Sequence, residues 1–198
     1  YNATMLRQRI EEEETYDLPN IKLKEFTDIC NVQGEELIEA IESSYNKAGV
    51  DETIILCRSN KRANIYNEGI RRRILYREEE LSRGDMLMVV KNNYHYTERI
   101  ENCPMNFIAN GDIAKLKRIR RFESLYGFRY ASAVLEFADY DNTEIECKIL
   151  LDTLTSESPS LTYEQSQKLF YEVEKDYTDI KSKIKRFKEI RENEYYNA

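Results

Sequence analysis

Leu37, Ile38, Ile41, Tyr45 and Ala48 recur at steps of three and four, which sets one apolar face on a helix from about Glu35 to Ala48, with Gly49 as its stop. Thr53-Ile54-Ile55-Leu56-Cys57 breaks that period with a short apolar run of buried-strand length. After Arg58-Ser59-Asn60, helical spacing returns at Ala63, Tyr66, Asn67, Ile70 and Ile74, so Ser59 or Asn60 is expected to cap a second helix. Helix, strand, tight turn, helix is the grammar of a parallel α/β sheet, in which ligands sit beyond the carboxyl ends of the strands.

Beyond Gly84 the pattern becomes extended. Asp85 to Lys91 and Asn106 to Ala109 read as strands, and Asn110-Gly111 is a strong hairpin-turn signal at which the chain should reverse. Ile113 to Phe122, Arg129 to Ala138 and Glu144 to Leu151 add three more, with turn-rich Asp139-Tyr140-Asp141-Asn142 before the last. Four or five short strands joined by tight turns predict a small barrel resembling an SH3 domain. Thr162-Tyr163-Glu164-Gln165 is a capping box. Leu169, Val173, Tyr177, Ile180, Ile184 and Phe187 then predict one long amphipathic helix to about Arg191, with lysines near its end that suit the helix dipole. Pro159, in Ser156-Glu157-Ser158-Pro159-Ser160, marks a linker. The expected fold class is α/β plus all-β, with an α/β segment at 1–84, the barrel at 85–160 and the long helix at 161–198.

Composition narrows the classes. The 198 residues are 41% hydrophobic, enough for a core, and carry 37 Asp+Glu against 30 Lys+Arg for a net charge of -7. Disorder of the whole chain is excluded. No apolar run approaches the roughly 20 residues that cross a bilayer, and no signal segment opens the chain, so a membrane or secreted protein is not expected. Cys30, Cys57, Cys103 and Cys147 form no CxxC pair, which argues against a zinc ribbon or dithiol site and suits reduced thiols in the cytoplasm. The single histidine, His95, rules out multi-histidine metal sites; between two tyrosines it is expected to pack or lie at the surface rather than act as a base. The acidic run Glu11 to Glu14 is expected to be a solvated helix end. A start at Tyr1 reads as a piece of something longer.

Charge is uneven. From Arg58 to Arg77 seven basic residues face Glu68 alone, and from Asp112 to Tyr130 six face Asp112 and Glu123. Two cationic stretches in an acidic protein fit a directed polyanion-binding face. Arg58 and Asn60 fall at the end of the expected strand, with Asn67 and Arg71 one turn apart on one helix face, an arrangement that can grip phosphate: the arginine fork pairs with its oxygens, and helix-start amides add positive charge. The alternative is that Arg58 pairs with a carboxylate and Arg71 to Arg73 form a solvated face.

The segment Ile54 to Asn64, with Asn67 and Ile70-Arg71, resembles the start of the second RecA-like domain of superfamily 1 DNA helicases of the RecD-like type. Gly84-Asp85-Met86-Leu87-Met88, then Asn92-Asn93-Tyr94, then Phe107-Ile108-Ala109-Asn110-Gly111-Asp112 resemble further elements of that family in its order, leading into an inserted SH3-like barrel. The likeness covers about Thr53 to Asp112, and the barrel pattern extends it to about Leu151. It implies that 1–84 is part of a RecA-like motor domain and that the parent is an ATP-dependent helicase translocating on single-stranded DNA, sometimes as the alpha subunit of exodeoxyribonuclease V. ATP and Mg would serve that parent, with single-stranded or duplex DNA and the remaining motor domains as partners. This chain has no Gly-x-x-x-x-Gly-Lys-Ser/Thr loop, so the fragment alone is expected to hydrolyse no ATP and to hold neither group. By resemblance, Arg58, Asn60, Asn67 and Arg71 would face nucleotide or DNA phosphate, and Lys115, Lys117, Arg118, Arg120 and Arg121 would meet DNA from the barrel. Tyr94, Tyr96, Tyr126 and Tyr130 are candidates for base stacking. The rival expectation is a non-enzymatic interaction module using the barrel and the amphipathic helix. A nuclease lacks a clustered metal site.

Overall fold

The computed structural model describes residues 1–13, 16–156 and 160–198, and divides into two compact units, Tyr1–Ile55 and Leu56–Ala198. It is a mixed α/β chain whose one sheet is antiparallel throughout the described residues. The boundaries expected at 84/85 and 160/161 both fall inside the second unit.

The first unit holds helices α1 (Asn2–Glu11) and α2 (Leu37–Ala48). Asn2 clamps the backbone of Lys22, its amide nitrogen donating to the Lys22 carbonyl at 2.9 Å and its oxygen accepting from the Lys22 N–H at 3.1 Å. α2 ends at Gly49, whose φ of +90° lies in the left-handed region where glycine is favoured, as the apolar pattern predicts. No described residue of this unit is fully buried, so the α2 stripe is only partly covered. The strand expected at Thr53 to Cys57 does not form: the segment has no regular structure, and Ile54 and Leu56 are 81% and 87% exposed. Its apolar residues suit the middle of a sheet, but a strand exists only where a neighbour accepts its backbone hydrogen bonds. The parallel sheet expected here is absent among the described residues.

In the second unit, α3 (Asn60–Arg73) begins at Ser59, whose extended backbone and side chain accepting from the Arg62 N–H at 3.3 Å make it the cap. The sheet follows as a meander of β1 (Met86–Met88), β2 (Ile113–Leu125), β3 (Phe128–Phe137) and β4 (Thr143–Leu150), each paired with the next. It curls into a half-barrel, and no β1–β4 pairing closes it among the described residues. Between β1 and β2 the expected strand at 106–109 shrinks to one bridge, Asn93 with Ile108. Asn110-Gly111 does turn the chain, with the Asp112 N–H donating to the Ala109 carbonyl and Gly111 at φ +98°. The segments it joins do not pair with each other: Ile108 faces Asn93, while Ile113 faces Met88. The true two-residue hairpin is Tyr126-Gly127, both at positive φ, between Leu125 and Phe128.

Alternation gives the sheet two faces. Ala114, Leu116, Ala131, Ala133, Leu135, Ile145 and Cys147 look into one core with Leu81, Tyr96, Met105 and Ile108. Phe128, Tyr130 and Leu150 look the other way, into a second core closed by α4 (Tyr163–Glu174) and α5 (Lys183–Glu192) through Leu169, Val173 and Ile190. The capping box of Thr162 and Gln165 is present, whereas the linker residues Glu157 to Pro159 lie outside the described residues. The single long helix is replaced by α4, one 3-10 turn at Lys175–Tyr177, and α5 restarted by the Ser182 cap. Arg186 secures the break, donating to the Ile180 carbonyl at 3.2 and 3.0 Å and to Glu174 at 3.1 Å. An unbroken helix would carry Ile190 about 30 Å from Leu169, at about 1.5 Å per residue. Folding back puts both in one core and leaves Ile184 84% exposed, outside the stripe it was expected to join.

Candidate nucleic-acid interface

Residues from the separated motifs meet. Arg71 of α3 donates from Nε to Asp85 Oδ1 at 3.2 Å and from Nη2 to Asp85 Oδ2 at 2.9 Å, a two-point grip, and also to the Glu79 carbonyl at 2.7 Å. Arg77 adds a bond to Asp85 Oδ1 at 2.8 Å and the Ser82 N–H one to Oδ2 at 2.7 Å, while the Asp85 backbone accepts from the Leu116 N–H of β2. Farther on, Asn92 Oδ1 accepts from the Asn110 N–H at 2.8 Å, Val89 accepts from the Gly111 N–H, and Asp112 Oδ2 accepts from the Ala109 N–H at 2.7 Å. The helix, the Gly84-Asp85 turn, the Asn92 segment and the Asn110-Gly111 turn are thus tied into one piece around the root of β2.

These ties separate the expected phosphate ligands. Arg71 is built into the fold: its guanidinium is committed to Asp85 and Glu79 and its side chain is 24% exposed. Arg58 is exposed, and its side chain meets no partner among the described residues. Asn60, the first residue of α3, and Asn67 are exposed too, with unpartnered side chains among the described residues. The structure therefore presents Arg58, Asn60 and Asn67 to solvent and withholds Arg71.

The five basic residues of β2 lie on the outer face of the sheet. Plain alternation would send Lys117 and Arg118 to opposite faces, and likewise Arg120 and Arg121. β2, however, shifts register between Leu116 and Arg118 and again between Ile119 and Arg121. Each bulge inserts an extra residue and re-aims the next side chain. Lys117 and Arg118 both reach Glu144, at 4.0 and 3.9 Å, and Arg120 and Arg121 line one cleft. Carboxylates from the neighbouring strands interleave with these cations: Lys117 pairs with Glu136 at 2.6 Å, Arg120 with Glu146 at 3.4 Å, and Arg121 with Glu123 at 2.9 Å. Lys115, directly opposite Glu136 in register, makes no ion pair among the described residues. Lys148 of β4 joins the same face, so six cations there meet the four carboxylates Glu123, Glu136, Glu144 and Glu146. The exposed pairs among these, Arg118 with Glu144 and Arg120 with Glu146, are individually worth little, and a polyanion can displace their carboxylates.

At one end of this face Lys148 is 4% exposed in its side chain, bonded to Glu123 at 2.8 Å and Ser132 at 3.0 Å, and sits 4.2 Å over the Tyr195 ring. Tyr195 closes the group by donating to Glu123 at 2.6 Å. Burial pushes the Glu123 carboxyl up, but hydrogen bonds from Lys148, Tyr195 and Ser132 outweigh it and hold the group down at about 2. Sequence reasoning missed Lys148, because the Tyr195 that covers it lies 47 positions away, and missed Asp85 as an anchor, although Gly84-Asp85 belongs to one of the family-like motifs.

Among the tyrosines proposed for base stacking, Tyr130 is fully buried, Tyr96 is buried with its hydroxyl donating to the Glu194 carbonyl at 3.0 Å, and Tyr126 donates to Asp176. Tyr94 is 52% exposed and stacks on Phe107 with centroids 4.8 Å apart, the most exposed ring of the four. His95 is buried edge-on to Tyr96, and burial, with Arg99 nearby, lowers its pKa; it packs rather than serving as an accessible base. Among the described residues no three His, Cys, Asp or Glu side chains gather as they would around a metal ion, and no helix is long and apolar enough to cross a membrane.

Compared with protein-family models, with characterised proteins and with solved structures, the chain matches none of them.

Proposed function

We propose that this chain is the part of a RecD-like superfamily 1 DNA helicase that spans a portion of the second RecA-like domain and its inserted SH3-like barrel, and that its outer sheet face and the Arg58 turn contact single-stranded DNA. The observation that carries the reading is the meeting of the family-like motifs: Arg71 grips Asp85, and Asn92 grips the Asn110-Gly111 turn. Residues that resemble one family in one order are joined by direct hydrogen bonds across 14 and 18 positions of sequence. Two more features agree with it. Ile54 and Leu56 are exposed in an apolar run suited to the middle of a parallel sheet, which the remaining motor domain would supply. Arg58, whose side chain meets no partner among the described residues, stands immediately before the Ser59 cap of α3. In this reading ATP hydrolysis, with Mg, belongs to the rest of the motor, and the fragment contributes DNA contact within the cytoplasm.

The test is anisotropy of a labelled oligo(dT) with the 198-residue chain. Binding is expected to weaken as salt rises, with a slope of about −0.7 per phosphate contacted. Arg58→Glu should weaken it by roughly tenfold while leaving unfolding unchanged, since the Arg58 side chain makes no bond among the described residues. No binding at low salt, or indifference to Arg58→Glu, favours the interaction-module reading.

A further inference from the structure

A cleft of about 490 Å³ opens where the outer sheet face reaches the free edge of β4, with the Tyr96 to Ile100 segment on one side and Glu194 on the other. Four cations enter its wall, Arg99, Arg120, Arg121 and Lys148, against the carboxylates Glu146 and Glu194. They differ in how firmly they are held. Lys148 is fixed by Glu123, Ser132 and the Tyr195 ring. Arg120 and Arg121 share the cleft because of the second bulge of β2, and each is tied to one carboxylate. Arg99 is the least committed: it makes one long bond, 3.4 Å, to the neutral carbonyl of Glu192 and pairs with no carboxylate among the described residues. Glu194 already puts an anion into this space, its carboxylate 3.5 Å from Lys148 and 46% exposed.

We propose that this cleft is a subsite for one backbone phosphate of a single-stranded nucleic acid, bound by the Arg99, Arg120 and Arg121 guanidiniums above Lys148, with Glu194 as the internal anion that the phosphate displaces. Guanidinium forks match phosphate oxygens at two points, and the deeper ammonium is held in position before the ligand arrives. Nothing in the sequence pairs Arg99 with Arg120 or Lys148; the fold of β4 against the 96–100 segment, where the Tyr96 hydroxyl accepts from the Lys148 N–H at 3.1 Å, brings them together.

The assignment rests on the DNA-binding reading above, and two exposed substitutions separate the two. With labelled oligo(dT) and the 198-residue chain, Arg99→Glu is expected to weaken binding about tenfold and to flatten the salt dependence by about one contact. Glu194→Gln, which keeps the backbone carbonyl that Tyr96 uses, is expected to tighten binding severalfold; a cleft whose cations only hold the fold together would show no gain. If Arg99→Glu and Glu194→Gln both bind as wild type while Lys115→Glu weakens binding, the cleft assignment is overturned and the DNA reading stands. If oligo(dT) does not bind the wild type at low salt, both fall. Inorganic phosphate that binds in an Arg99-dependent way where oligo(dT) does not would overturn the nucleic-acid assignment in favour of free phosphate.

Discussion

Asp85→Ala is expected to lower the stability of the chain by about 3 kcal/mol, the lower end of what removing one partner from a buried ion pair costs. The Asp85 side chain is 7% exposed and receives four bonds, two from Arg71 and one each from Arg77 and the Ser82 N–H. Without it, two guanidiniums exposed by only 24% and 23% keep their charges with no carboxylate beside them, and the Ser82 N–H loses its acceptor. The partial exposure of the arginines lets water recover some of the loss, which sets the estimate at the lower end. Arg71→Lys should cost less, about 1 kcal/mol, because a lysine keeps one contact to Asp85 but not the fork. Urea unfolding followed by circular dichroism reads both, and an Asp85→Ala midpoint equal to wild type would mean that the motifs are not held together through this carboxylate. Charge reversal at Arg71 is then expected to weaken DNA binding by unfolding the root of β2, whereas reversal at Arg58 acts on a folded protein.

Glu123→Gln is expected to cost about 2 kcal/mol at neutral pH. It leaves the Lys148 ammonium, 4% exposed, with Glu194 at 3.5 Å as its remaining carboxylate. The glutamine oxygen can still accept from Tyr195 or Ser132, which keeps the loss moderate. The wild type should show a matching pH dependence. A glutamate titrates near 4.5 when unfolded, and this one is held at about 2 in the fold. A depressed folded value means that the stabilisation is complete above about pH 4.5 and disappears as pH falls toward 2. The difference between wild type and Glu123→Gln in urea unfolding should therefore be full at pH 7 and shrink steadily below pH 4.5. A difference that stays constant down to pH 2.5 would show that Glu123 does not act through its charge.

Local patterns were legible where one residue or one short segment decides the outcome. Gly49 ends α2, Ser59 caps α3, Thr162 and Gln165 form their box, and the alternation of Ile145, Cys147 and Ile149 marks the inner face of β4. Patterns that depend on a distant partner were not. Thr53 to Cys57 has the composition of a strand but no neighbour among the described residues to complete it. The long helix broke because its two halves bury Leu169 and Ile190 in the same core only by folding back. The basic run of β2 was readable as charge, yet its presentation on one face depends on two bulges that period-two alternation does not contain. Arg71 and Arg58 looked equivalent as arginines near a turn; a carboxylate 14 positions beyond Arg71 separates them.

The DNA-contact claim is tested most directly by titrating the isotope-labelled chain with oligo(dT) at low salt and following backbone amide signals. The account predicts shifts concentrated at Arg58 to Asn60, along Lys115 to Arg121 of β2 and around Arg99, Lys148 and Glu194, with α4 unmoved. Shifts confined to α4 and α5, or none at saturating oligonucleotide, would contradict it.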